Sequence, residues 1–149
     1  MKMSTHVSEI LSSCSSSLYA LRVLRSHGLP STALHEVARA STLARLMYAA
    51  PAWWGYTNAG ERDRLEGFIC KTKRFGYLPP SALTAEEMSE QADDNLFKAV
   101  MSDCNHVLHA LLPLPHTHEH SLCLHPHSFL LSDKDDRNFI TRMLYKNIY

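Results

Sequence analysis

The chain has 149 residues, 45% of them hydrophobic and 20% charged, with 15 Lys/Arg balanced by 15 Asp/Glu. That is the composition of a domain with one ordinary core, and it excludes wholesale disorder. The zero balance is uneven: residues 1–75 hold ten Lys/Arg and five acids, the remainder five Lys/Arg and ten acids. A basic first half suits contact with phosphates, whereas an acidic second half does not.

No run approaches the roughly 18–20 apolar residues that span a bilayer. The N-terminal stretch MKMSTHVSEILSSCSS has no apolar core of signal-peptide length. A cytoplasmic or nuclear protein without membrane contact is therefore expected. Cys14, Cys70, Cys104 and Cys123 form no Cys-x-x-Cys pair and read as buried or incidental thiols.

Val7, Ile10, Leu11, Cys14, Leu18, Leu21 and Leu24 recur at three- and four-residue steps, which predicts an amphipathic first helix. His27-Gly28-Leu29-Pro30 ends it, with glycine available for a left-handed cap. Ser31 or Thr32 can cap a second helix carrying Leu34, Val37, Ala38, Leu43, Met47 and Tyr48. So short a link predicts an antiparallel helical hairpin.

Pro51 is expected to stop the second helix. After Trp53 and Trp54, Asn58-x-x-Glu61 offers a capping box for a third helix. One face of that helix has Leu65, Phe68, Ile69, Thr72 and Phe75, and Gly76 is its expected C-cap. Its other face carries Arg62, Arg64, Lys71, Lys73 and Arg74. Pro79-Pro80 reads as a linker. Thr84 with Glu87 forms the clearest helix start in the chain, followed by Leu96, Phe97, Val100 and Met101. His106–Leu112 is expected to be a short helical piece. From Leu112 to Asp136 the periodicity dissolves, with some strand character near 128–131, and a last helix is expected over Asn138–Ile148.

The histidine density over 106–127 suggests zinc, because imidazole and thiolate are its usual ligands. His116, His118 and His120 alternate in a way that could chelate, and without disciplined ligand pairs they are weak candidates. No resident metal or other cofactor is expected. Asp93-Asp94 and Asp135-Asp136 are paired carboxylates of the kind that hold magnesium, but each pair reads better as solvated charge. No Gly-x-Ser-x-Gly elbow or glycine-rich phosphate loop occurs. The cations of the third helix, together with Phe75 and Tyr77, are the one nucleic-acid signal. Such a face can line a phosphate track while exposed rings stack on bases.

Four stretches, HVSEILSSCSSSLYALRVLRSHGL, YAAPAWWGYTNAGERDRLEGFICKTKRFGY, EQADDNLFKAVMSDCNHVLHALLP and NFITRMLYKNIY, carry a resemblance. In this order they look like the C-terminal thumb and post-thumb region of non-LTR retrotransposon (LINE) reverse transcriptases of the jockey and chicken-repeat type. The resemblance implies a primer–template holding role, with phosphate contact by Arg62, Lys71, Lys73 and Arg74. Pro51, Trp53 and Trp54 would form the structural junction between hairpin and third helix. The family's metal-binding Tyr/Phe-x-Asp-Asp does not occur here. The chain is therefore expected to be a non-catalytic fragment, its partners an RNA or DNA backbone and the palm domain of the ancestral polymerase. At Cys70, Cys123 and His125 the resembled polymerases tend to show arginine, a pattern expected of transitions at CpG codons in a decaying element copy.

The resulting expectation is a mainly α fold with three parts. Residues 1–78 form a thumb-like three-helix unit, residues 79–112 an additional helical segment, and residues 113–149 an irregular His-rich tail with a short terminal helix. The competing readings are a small helical interaction module, which could self-associate through exposed helical surface, and a His-rich metal-binding protein.

Overall fold

Helix α1 (Met3–Ser26) forms from a serine-rich stretch of modest helix propensity. The hydroxyls of Ser8, Ser15, Ser16 and Ser17 each donate to the carbonyl four residues earlier, which satisfies them without breaking the helix. Val7, Cys14, Leu18 and Leu21 are its buried stripe. Each such aliphatic side chain contributes about 1.5–3 kcal/mol on full burial. The helix ends in a Schellman motif: Gly28 has φ 85°, its N–H donates to Arg25 O at 3.0 Å, and Leu29 N–H donates to Leu24 O at 3.2 Å.

The computed structural model describes residues 3–113, 129 and 135–146. The fold is mainly helical, and no strand occurs among the described residues. The chain divides into two compact units, Met1–Ser89 and Glu90–Tyr149.

In the first unit, α1 packs against the second helical segment and against the third main helix. The second segment is α2 (Ser31–Ala38), a π-helical turn at Arg39–Leu43 and α3 (Ala44–Leu46). Its N-cap is Pro30, with no side-chain cap, so neither Ser31 nor Thr32 caps it as the sequence suggested. The ring holds Pro30 at φ −64°, and the chain turns directly into the helix. The π turn brings the Thr42 carbonyl to the Cys14 thiol, which donates to it at 3.6 Å. Burial pushes the Cys14 pKa up, against a smaller opposing effect of Arg45. The thiol stays protonated and packs as core.

Pro51 does not terminate this segment. The helix ends at Leu46, and Ala49 takes a left-handed conformation at φ 51°. Pro51 then lies in the first turn of α4 (Ala50–Trp53), where a missing N–H costs nothing because that donor has no intrahelical partner. A single 3-10 turn (Trp54–Tyr56) leads into α5 (Ala59–Arg74).

Both ends of α5 follow the sequence expectation. Asn58 Oδ1 accepts from Glu61 N–H and Glu61 Oε2 accepts from Asn58 N–H, each at 2.9 Å. Gly76, at φ 70°, closes a second Schellman motif, donating to Lys73 O at 2.8 Å while Tyr77 N–H donates to Thr72 O at 3.1 Å. Leu65, Phe68, Ile69 and Thr72 are buried, but Phe75 is 45% exposed. Phe75 is the C-cap residue, already beyond the last regular turn, so it leaves the stripe that its spacing predicted.

Helix α6 (Ala85–Ser102) starts on the Thr84–Glu87 capping box. Hydrogen bonds from the Thr84 backbone, then from its side chain, hold the Glu87 carboxyl below the usual range. Glu66 of α5 also accepts from Ala85 N–H at 2.7 Å, fixing the start of α6 within the first unit. In the second unit, Val100, Met143 and Leu144 are buried. The expected helix at 106–112 is a 3-10 turn at His109–Leu111, and α7 covers Phe139–Tyr145 behind an Asn138 cap. Phe129 makes an isolated bridge; the rest of the expected strand lies outside the described residues.

Asp93 corrects the expectation of solvated charge. It is 5% exposed, and its Oδ2 accepts from Arg142 at 2.8 Å and 3.1 Å, while Asp94 pairs with Lys146 at 2.6 Å. Desolvation raises the Asp93 pKa, with Arg142 opposing it. The pair belongs to the α6–α7 packing.

Candidate nucleic-acid interface

The cations of α5 separate into groups. At about 3.6 residues per turn, Arg62 and Lys73 share one flank of the buried stripe and Arg64 and Lys71 the other. Arg74 lies between them, on the side away from the core.

The first flank is committed internally. The Arg62 guanidinium sits 5.2 Å from the Trp54 ring centroid, and its Nε donates to Thr57 Oγ1 at 3.1 Å. Trp54 is 5% exposed, so this arginine covers the tryptophan. Trp53, 5.9 Å from Trp54, meets the His6 ring of α1 edge-on at 5.5 Å and donates from its indole nitrogen to Tyr48 O at 2.9 Å. Lys73, half-buried, adds its charge to the groups that favour ionised Glu87.

The second flank opens on solvent. Arg64 donates to Ser8 Oγ of α1 at 3.1 Å. Lys71 faces a cleft of about 700 Å³ between α1 and the C-terminal end of α5. Arg22, Arg25 and Lys71 supply its charge, and among the described residues no acidic side chain lines it. Leu18, Tyr19, Phe75 and Tyr77 are its apolar and aromatic lining. Tyr19 is 70% exposed and Tyr77 only 4%.

Arg25 organises the cleft. Its guanidinium lies 4.1 Å from the Tyr77 ring centroid and donates to the Phe75 carbonyl, one of the orphan acceptors at the α5 C-terminus. Phe75 meets Tyr77 edge-on at 6.2 Å, and Lys71 Nζ lies 5.9 Å from the Phe75 centroid. Arg22 is exposed and makes no ion pair or side-chain hydrogen bond among the described residues. The arrangement offers two available cations, Arg22 and Lys71, beside two exposed rings, with Arg25 and Tyr77 as their support.

Of the four cations inferred for phosphate contact, the structure thus brings only Lys71 to this cleft. Arg62 and Lys73 lie on the far flank, and exposed Arg74 lines no part of it. Tyr77, grouped by sequence with the rings able to stack, is buried beneath Arg25. Tyr19, Arg22 and Arg25 were missed. Their spacing of three along α1 was a signal, but its meaning depends on α5 lying alongside.

His116, His118 and His120 lie outside the described residues, as do Cys123, His125 and His127. Among the described residues no group of three or more His, Cys, Asp or Glu could hold a metal ion, and no helix is long and apolar enough to cross a membrane. Cys70 and Cys104 are exposed, and the Cys70 thiol lies 3.5 Å from Glu66 Oε1. No family model, curated protein or solved structure matches the chain.

Proposed function

We propose that the chain is a non-catalytic helical module that holds nucleic acid by its backbone, in the manner of the thumb of a LINE-type reverse transcriptase. The observation that carries this reading is the cleft bearing Arg22, Arg25 and Lys71, which no acidic side chain among the described residues lines. Cations without competing carboxylates attract phosphates and displace their counterions. The resemblance of the four sequence stretches supports the thumb assignment. Polymerisation would require clustered aspartates supplied from elsewhere, since Tyr/Phe-x-Asp-Asp does not occur in this chain and Asp93 is paired with Arg142.

The test is fluorescence anisotropy with a labelled RNA–DNA hybrid over a salt series. Affinity should fall linearly with salt on a log–log plot. The double variant Arg22→Glu/Lys71→Glu should abolish binding while retaining the helical circular dichroism. Binding that ignores salt, or that survives the charge reversal, would refute the reading.

A further inference from the structure

We infer that the α1–α5 cleft takes an unpaired base, so that this surface prefers single-stranded nucleic acid to duplex. The inference rests on the backbone-holding reading above and adds to it the identity of the strand. A duplex presents phosphates and sugars along its flanks, and its ring faces are already stacked inside. It would engage Arg22 and Lys71 but gain nothing from Tyr19 and Phe75. Those rings are 70% and 45% exposed, beside Arg22 and Lys71, which make no ion pair or side-chain hydrogen bond among the described residues.

The cleft has the dimensions for this. Its volume of about 700 Å³ lies within the roughly 300–1,000 Å³ range of sites that enclose a small organic molecule. Its surface combines an apolar floor with a cationic rim, which matches a flat apolar base attached to an anionic backbone. Aromatic stacking is tolerant of base identity because every base has a π-face. Weak sequence preference is therefore expected. Arg25 and Tyr77 act as positioning residues: the guanidinium fastens the Phe75 carbonyl and covers Tyr77, keeping the Phe75 ring at the mouth.

The experiment uses the full chain and a single-stranded DNA of about 12 nucleotides carrying one fluorescent adenine analogue, alone or annealed to its complement. The single strand should bind more tightly, and stacking should quench the analogue. Tyr19→Ala and Phe75→Ala should each weaken single-strand binding by roughly 5- to 150-fold, leave duplex binding unchanged and abolish the quenching. Tyr19→Phe keeps the ring and should retain both affinity and quenching. Lys71→Ala should weaken both forms. Both aromatic positions are exposed, so matched circular dichroism and a retained cooperative urea transition verify the fold. If duplex binding persists but ring removal changes nothing, base stacking is wrong and backbone holding survives. If neither form binds, both readings fail. Polyglutamate that competes as well as the oligonucleotide, with no sensitivity to Tyr19→Ala, would make the cleft an acidic-peptide site and overturn the inference.

Discussion

The two ends of α5 each set a cation beside an aromatic ring, for opposite purposes. At the N-terminal end an arginine and a tryptophan face each other: Arg62 covers Trp54, which is 5% exposed. At the C-terminal end a lysine and a phenylalanine also lie together, but Phe75 is 45% exposed and opens on a cleft. A cation beside an aromatic ring is therefore not by itself a binding signal. What decides is whether the ring has been covered by the rest of the fold.

The strongest way to break this contrast is to remove the rings. Trp54→Ala should destabilise the first unit by about 3–5 kcal/mol, because it takes a large ring from a packed junction. Phe75→Ala should cost about 1 kcal/mol or less, as expected of a half-exposed side chain. Urea unfolding followed by circular dichroism measures both. Equal losses would mean that Phe75 is as much a part of the core as Trp54, and the cleft reading would fall.

A smaller effect is expected at the C-terminal cap. Gly76 has φ 70°, and a Cβ there would meet nothing nearer than Arg25 Nη2 at 3.9 Å. Gly76→Ala should therefore cost about 1–2 kcal/mol, from backbone strain alone. Gly28→Ala, at φ 85° with no atom within 4 Å of the new Cβ, should cost the same. Their agreement in urea midpoints would separate strain from clash; a much larger loss at Gly76 would show that the Arg25 contact is tight.

At the opposite end, Asn58→Ala removes one of the two capping-box hydrogen bonds and should cost about 1 kcal/mol. The thermal midpoint should fall by several degrees at most, with no change in affinity for nucleic acid. A loss of affinity would place the N-terminal end of α5 in the binding surface and erase the contrast.

The sequence was legible where the determinants are local. Asn58 and Glu61, Thr84 and Glu87, and Gly28 and Gly76 act within a few residues, and their caps form as their spacing predicts. The mainly α fold followed from the same local periodicity. Residues whose role depends on distant partners were not legible. Asp93 reads as solvated until Arg142, 49 positions away, pairs with it. Arg25 reads as a surface cation until the Phe75 carbonyl, 50 positions away, arrives. The π turn at Arg39–Leu43 places the polar Thr42 on the buried face and leaves Val37 38% exposed, a phase that apolar periodicity could not reveal. Charge counting on α5 is blind to distant partners for a related reason: it could not show that Arg62 lies over Trp54 or that α1 provides the wall beside Lys71.

The finest test exchanges stability for binding at two cations on one helix. Arg62→Ala loses its place over Trp54, worth about 0.5–1 kcal/mol, and its hydrogen bond to Thr57, worth about 1 kcal/mol. The urea midpoint should fall, while affinity for single-stranded DNA stays at the parent value. Lys71→Ala should do the reverse. Its ammonium is exposed, so stability should stay within about 0.5 kcal/mol, while affinity falls and the salt slope decreases by about one. A paired shift in both quantities at either site would mean that packing and binding share the same atoms. The opposite ends of α5 would then be one surface, and the internal contacts of Arg62 would be part of how the chain holds its ligand.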